Sequence, residues 1–220
     1  MTYISWAAMY EGSSDAAYFE VLLPRVMQEI VALHGERAVT VPNTAAATFS
    51  RGPVNDVARS ICGAREAFHL VFIHSDTGGR NLEEQLTLRS CAYCAAIQRE
   101  CDWPASRCVV IAPRHETEAW ILADPGAVTD ALGWRGSSDS IGLPTNGSAA
   151  EGLQDPKITL EQAVRQVRGR RSGRPQQYFA AIAQRQELRE LRGATSFRSF
   201  EAALYSALVD LGCVRRRDSD

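Results

Sequence analysis

The sequence predicts an α/β fold: a parallel sheet of about four strands with helices on both faces, followed by a C-terminal helical appendage. Strand-like and helix-like segments alternate four times over the first 125 residues, the pattern of parallel strands joined by crossover helices. The runs Leu70-Val71-Phe72-Ile73 and Cys108-Val109-Val110-Ile111-Ala112 are near-continuously apolar, as expected of strands covered on both faces. Acidic residues stand just after two of the strand-like runs, Glu11 after the first and Asp76 after the third, at the edge where open α/β sheets place their sites.

Taken in order, Tyr3 to Met9 reads as the first strand. Asp15 to Leu33 is an amphipathic helix with Ala17, Phe19, Leu22, Leu23, Val26, Ile30 and Leu33 at helical spacing. Ser13 or Ser14 suits its N-cap and Gly35 its end, and Pro24 predicts a kink or restart. Ala38 to Val41 reads as a short second strand, followed by a small-residue loop and a helix over 55–66 after Pro53. His69 to Ile73 is the third strand, Leu82 to Glu100 a long helix, Cys108 to Ala112 the fourth strand, and Glu116 to Ala123 a helix. Residues 134–152 are rich in Gly, Ser, Asn and Pro and read as a loop or lid. Helical period returns over 159–168, 175–191 and 197–211. The expected division is an α/β domain over 1–125, with the loop and helices of 126–220 packed on it.

The chain has 220 residues and a formal net charge of −2, so nucleic-acid contact must be regional rather than a general coating. No stretch approaches the roughly 18 apolar residues that cross a bilayer, and the N-terminus lacks a signal-peptide pattern; the expectation is a cytoplasmic protein with no membrane contact. The six cysteines are then reduced thiols packed as small hydrophobes. A zinc site on Cys91, Cys94, Cys101 and Cys108 is disfavoured, because Cys91 and Cys94 lie in a helical pattern and the following gaps repeat no CxxC knuckle.

Carboxylates converging at one sheet edge repel unless a cation or proton holds them. Mg²⁺, or Mn²⁺, suits Glu11 and Asp76, and Gly12 lets a phosphate or backbone approach closely. The alternative is that each acid only favours the helix after it. In His115-Glu116-Thr117-Glu118-Ala119-Trp120, Glu116 and Glu118 are two apart and cannot both face one point on a helix; one is a ligand or base and the other a cap. His115 is a candidate proton shuttle, and Asp15 and His74 are accessory candidates. Arg165, Arg168, Arg170, Arg171 and Arg174 form the strong basic cluster, followed by Tyr178 and Phe179, which suits a phosphate-backbone track, with Arg168, Arg170, Arg171 and Arg174 as the nucleic-acid-binding candidates.

Glu11-Gly12 and Asp76 resemble the Toprim domain of topoisomerases, primases and nucleases of the overcoming-lysogenization-defect type. Glu116-Thr117-Glu118-Ala119-Trp120-Ile121-Leu122-Ala123-Asp124, Asp155-Pro156-Lys157 and Ser196-Phe197-Arg198-Ser199-Phe200 look like the bacterial Toprim-like family catalogued as domain of unknown function 4276. The resemblance runs nearly end to end. It implies a Rossmann-like Toprim fold and Mg²⁺-dependent phosphodiester hydrolysis, with Glu11, Asp76 and Glu118 as catalytic and metal residues. Where that pattern has the first aspartate of an Asp-x-Asp pair, this chain has His74. The resemblance also implies a toxic effector of an anti-phage defence system, partnered by a nearby-encoded ATPase of the ABC or AAA type. A homo-oligomer is compatible with it. Two other readings compete: a non-catalytic, degenerate Toprim subunit that docks on and regulates an ATPase, and a small-molecule phosphohydrolase using the same carboxylates.

Overall fold

The computed structural model describes residues 2–78, 89–169 and 174–216. Its centre is a four-stranded parallel sheet in the order β4-β2-β5-β6, with β2 at Trp6–Tyr10, β4 at Ala47–Ser50, β5 at Leu70–His74 and β6 at Cys108–Ile111. Two further short strands, β1 (Thr2–Tyr3) and β3 (Val39–Thr40), pair in parallel as a separate ribbon. The register aligns Trp6 with Leu70 and Met9 with Ile73, and His74 with Ile111.

The sheet is covered on both faces because its side chains alternate between two apolar clusters. Trp6, Ala8, Tyr10, Leu70, Phe72, Val109 and Ile111 pack into one cluster with helix α1 (Ser13–His34). Ala7, Met9, Val71 and Ile73 pack into the other with α2 (Val54–Gly63) and α3 (Cys91–Cys101). With every strand pair parallel, the joining segments must cross the sheet, which is what the alternating pattern requires. The first cluster also takes in the C-terminal helices: α4 (Thr117–Ile121), α5 (Pro125–Leu132), α6 (Gly147–Glu151), α7 (Pro156–Arg168), α8 (Phe179–Arg185), α9 (Leu188–Leu191) and α10 (Thr195–Asp210). Among the described residues no helix is long and apolar enough to cross a membrane.

Several expectations are corrected. The first strand is broken at Ile4-Ser5, where His69 Nδ1 accepts the Ser5 N–H at 3.0 Å. Ala38 to Val41 does not supply the strand beside β2; that place belongs to β4, inside the presumed loop. Its Ala47 and Phe49 pack on the second cluster while the alternate residues face out, a two-residue period too short to stand out from small-residue composition. Helix α1 runs through Pro24 without a break, and its N-cap is Gly12, with neither Ser13 nor Ser14 capping. Residues 175–191 divide at Gln186-Glu187 into α8 and α9. The presumed lid contains α6, capped by Asn146, which accepts the Ala149 N–H at 2.9 Å. Most of the first half of the expected 82–100 helix lies outside the described residues.

The cysteines are the largest correction. Cys62 on α2 is disulfide-bonded to Cys101 on α3, and Cys94 on α3 to Cys108 on β6; Cys91 and Cys213 are free. Of the two cysteines that the helical period places on one buried face of α3, Cys94 is half-buried and meets a sulfur partner on β6, whereas Cys91 is exposed.

Candidate metal centre

Strand order places the candidate site. From β2 the next strand of the sheet, β4, is added on one side, and β5 is then added on the other. The carboxyl ends of β2 and β5 are thus the topological switch point, where the flanking connections leave to opposite faces and open a crevice. Glu11 directly follows β2, and His74 and Asp76 end or follow β5. Asp15, in the first turn of α1, and Thr117, the first residue of α4, complete the ring.

Asp15, His74 and Asp76 present ligand atoms that all lie within 4.8 Å of one another. Asp15 and His74 are buried. Thr117 Oγ1 donates to Asp15 Oδ1 at 2.7 Å, and the Thr117 N–H donates to Asp76 Oδ1 at 3.1 Å. His74 Nδ1 accepts the Glu11 N–H at 3.4 Å, which leaves the ring proton on Nε2, 3.3 Å from both Thr117 Oγ1 and Asp76 Oδ1. In this tautomer His74 orients Asp76 rather than offering it a competing lone pair. The carboxylates of Asp15 and Asp76 remain as oxygen donors of the kind a divalent cation takes.

Glu11 plays a different part. Its Oε2 accepts the Asp76 N–H at 3.0 Å, and its Oε1 is ion-paired with Arg51, which follows β4. It therefore ties together the ends of β4, β2 and β5 and stands outside the converging triad. Arg89 Nη1 donates to the Asp76 carbonyl at 2.8 Å, which holds the backbone of that loop.

Glu118 is 8% exposed, and burial pushes its carboxyl up to about 7; its own backbone N–H opposes the shift, while the charges of Glu116 and Asp76 add to it and Lys157 opposes it. Glu116 is raised for the same leading reason, burial, then by Asp76, and its Oε2 is buried without a hydrogen-bond partner. Both glutamates belong to one electrostatic cluster with Asp76, but neither joins the triad. His115 adopts a positive φ of 70°, a conformation uncommon for a residue with a side chain. Its N–H donates to Thr77 Oγ1 at 2.9 Å and its carbonyl accepts the Gly78 N–H at 2.8 Å. That stitches the β6 loop to the β5 loop.

Of the basic cluster, Arg168 lies over the Tyr178 ring at 5.8 Å. Arg174 lines a cleft of about 520 Å³ with Ser13, Ser14 and Gln177, against the start of α1. Arg170 and Arg171 lie outside the described residues. A cleft of about 590 Å³ between the C-terminal part of α1 and α10 touches none of the site residues.

The motif pieces far apart in sequence meet behind the site. Trp120 packs on Phe197 and Phe200, with ring centroids 5.1 and 5.5 Å away, and its Nε1 donates to Ser196 Oγ at 2.7 Å. Buried Glu151 accepts the N–H groups of Thr195 and Ser196 at 2.6 and 2.8 Å. Lys157, one residue into α7, reaches the field of Glu116 and Glu118. Sequence reasoning passed over Thr117, Arg51, Arg89, Glu151 and Gln186. Thr117 alone carried a usable signal, a hydroxyl between two candidate acids at a helix start. No protein-family model, curated protein or solved structure matches this chain.

Proposed function

We propose that this chain is a Toprim-like, divalent-metal-dependent nuclease, the effector of a bacterial anti-phage system that works with an ATPase of the ABC or AAA type. The observation that carries the reading is the convergence of Asp15, His74 and Asp76 at the switch point. Asp15 and Asp76 would hold Mg²⁺ or Mn²⁺, with His74 and Thr117 orienting them. A cation bound there lowers the pKa of an attacking water and stabilises charge on a phosphodiester. Glu118, titrating near neutrality, is matched to giving or taking a proton. Arg174, in the cleft it shares with Ser13 and Ser14 at the start of α1, supports phosphate contact there.

The test is Mn²⁺ binding by calorimetry together with cleavage of DNA, messenger RNA and tRNA. Asp15→Asn and Asp76→Asn should each abolish both, in proteins that still melt cooperatively. Cleavage unchanged in either variant would sink the nuclease reading. The second reading, a non-catalytic subunit that regulates an ATPase, is favoured by His74, whose two ring nitrogens are engaged with Glu11, Thr117 and Asp76. Absence of Mn²⁺ binding, with altered ATP hydrolysis by the partner, would select it.

A further inference from the structure

Helix α3 carries cysteines in two chemical states. Cys94 is bonded to Cys108 at the start of β6 and Cys101 to Cys62 on α2, whereas Cys91, the first residue of the helix, is an exposed free thiol. Residues three apart on a helix are neighbours, with Cβ atoms roughly 5–6 Å apart. The Cys91 thiol therefore stands one turn from the Cys94 sulfur, and a thiol next to a disulfide can exchange with it.

We propose that Cys91, Cys94 and Cys108 form an intramolecular thiol–disulfide relay. The Cys91 thiolate attacks Cys94 Sγ. The Cys91–Cys94 bond forms as the Cys94–Cys108 bond breaks, and the leaving electron pair stays on Cys108, which takes up the proton that Cys91 released. One disulfide and one thiol stand on each side of the step, so no oxidant or reductant is consumed. The Cys62–Cys101 bond takes no part and keeps α3 on α2, which confines the change to the start of the helix.

The exchange frees α3 from β6 and draws in its first turn, because a disulfide needs Cβ atoms roughly 3.5–4.5 Å apart. Arg89, two residues before Cys91, holds the Asp76 carbonyl at 2.8 Å. Closing the Cys91–Cys94 bond thus shifts the group that fixes Asp76 and weakens cation binding. This consequence rests on the metal-centre reading above; the exchange itself does not.

Peptide mapping tests the relay. The purified chain is held without reductant at about pH 8.5, near the ordinary thiol pKa, then quenched in acid with a maleimide and digested with trypsin. Cys91 and Cys94 fall on one peptide, from Ser90 to Arg99, and Cys108 on another, from Cys108 to Arg114. Exchange appears as a disulfide within the first peptide and a maleimide on Cys108. Cys91→Ser should keep the two peptides cross-linked and Cys108 unlabelled. Cys108 unlabelled in both proteins overturns the relay, as does labelling of both Cys94 and Cys108 before any reductant is added. Mn²⁺ affinity separates the two claims: it should be several-fold weaker in the exchanged form than in Cys91→Ser. Equal affinities overturn the link to Asp76. No Mn²⁺ binding in either form defeats the metal-centre reading and that link with it, leaving the exchange to be judged on the peptide map.

Discussion

His74 and Glu118 carry the two sharpest residue-level consequences. His74 stands where the resembled pattern has an aspartate, and its hydrogen bonds make it a support for Asp76. His74→Asp should therefore change Mn²⁺ affinity while Asp76→Asn removes it, and calorimetry distinguishes the two. A His74→Asp protein with no trace of altered affinity would remove His74 from the site. Glu118 titrates at about 7 in the fold against 4.5 as its ordinary value. Between these values the folded protein keeps a proton that the unfolded chain has released, so stability falls as pH rises through that window and stays reduced above it. Glu118→Gln should stabilise the metal-free protein at pH 8, by at most about 3 kcal/mol from the size of the shift, and do little near pH 4.5. Urea unfolding at the two pH values measures it; equal effects at both would show that the charge is not what the fold resists.

At the scale of elements, the short α6 is a fixing point for α10. Glu151 at its end accepts two of the first N–H groups of α10, which would otherwise lack partners inside the protein. Gly147 at its start leaves no room: an added Cβ would meet the Ala194 nitrogen at 2.6 Å. Glu151→Ala should cost about 2 kcal/mol, since buried donors are left unmade, and Gly147→Ala about 1–3 kcal/mol by overpacking. Thermal melts read both. Because Ser196 bonds Trp120 and Trp120 follows Glu118 by two residues, these losses should also lower Mn²⁺ affinity; a destabilised variant with full affinity would show that α10 does not support the site. Gln186 acts similarly for α8, accepting from Tyr18 and donating to the Trp120 carbonyl.

For the whole molecule, one face of the sheet is sealed by apolar packing alone and the other is also cross-linked. The first cluster joins α1, α4, α8 and α10 to the sheet without a sulfur bond. The second is smaller and carries both disulfides, which join α2 to α3 and α3 to β6. Closing a loop of this length restricts the unfolded chain by about 3 kcal/mol for the Cys94–Cys108 pair. Reduction should accordingly lower the melting temperature, and Cys108→Ser should reproduce less than half of that fall under oxidising conditions, because the longer Cys62–Cys101 loop stays closed. An unchanged melting temperature on reduction would mean that packing holds α3 by itself.

The buried central strand β5, the amphipathic α1 and the acids after the strands were legible in the sequence, because burial and helical period leave marks on neighbouring residues; β6, whose apolar run reads as equally covered, is an edge strand buried at alternate residues only. Those marks determined the α/β class, the parallel sheet and the edge that bears Glu11 and Asp76. Strand order was decided only by the tertiary structure, which put the four-residue β4 beside β2 and so made the ends of β2 and β5 the switch point. Tertiary contacts likewise turned Glu11 toward Arg51, brought Asp15 and Thr117 to His74 and Asp76, and paired the cysteines. The physical reason is range: periodicity reports which face of an element is buried, while a carboxylate's or a thiol's partner lies on another element, 14 residues away for Cys94 and Cys108, 40 for Glu11 and Arg51 and 102 for Asp15 and Thr117.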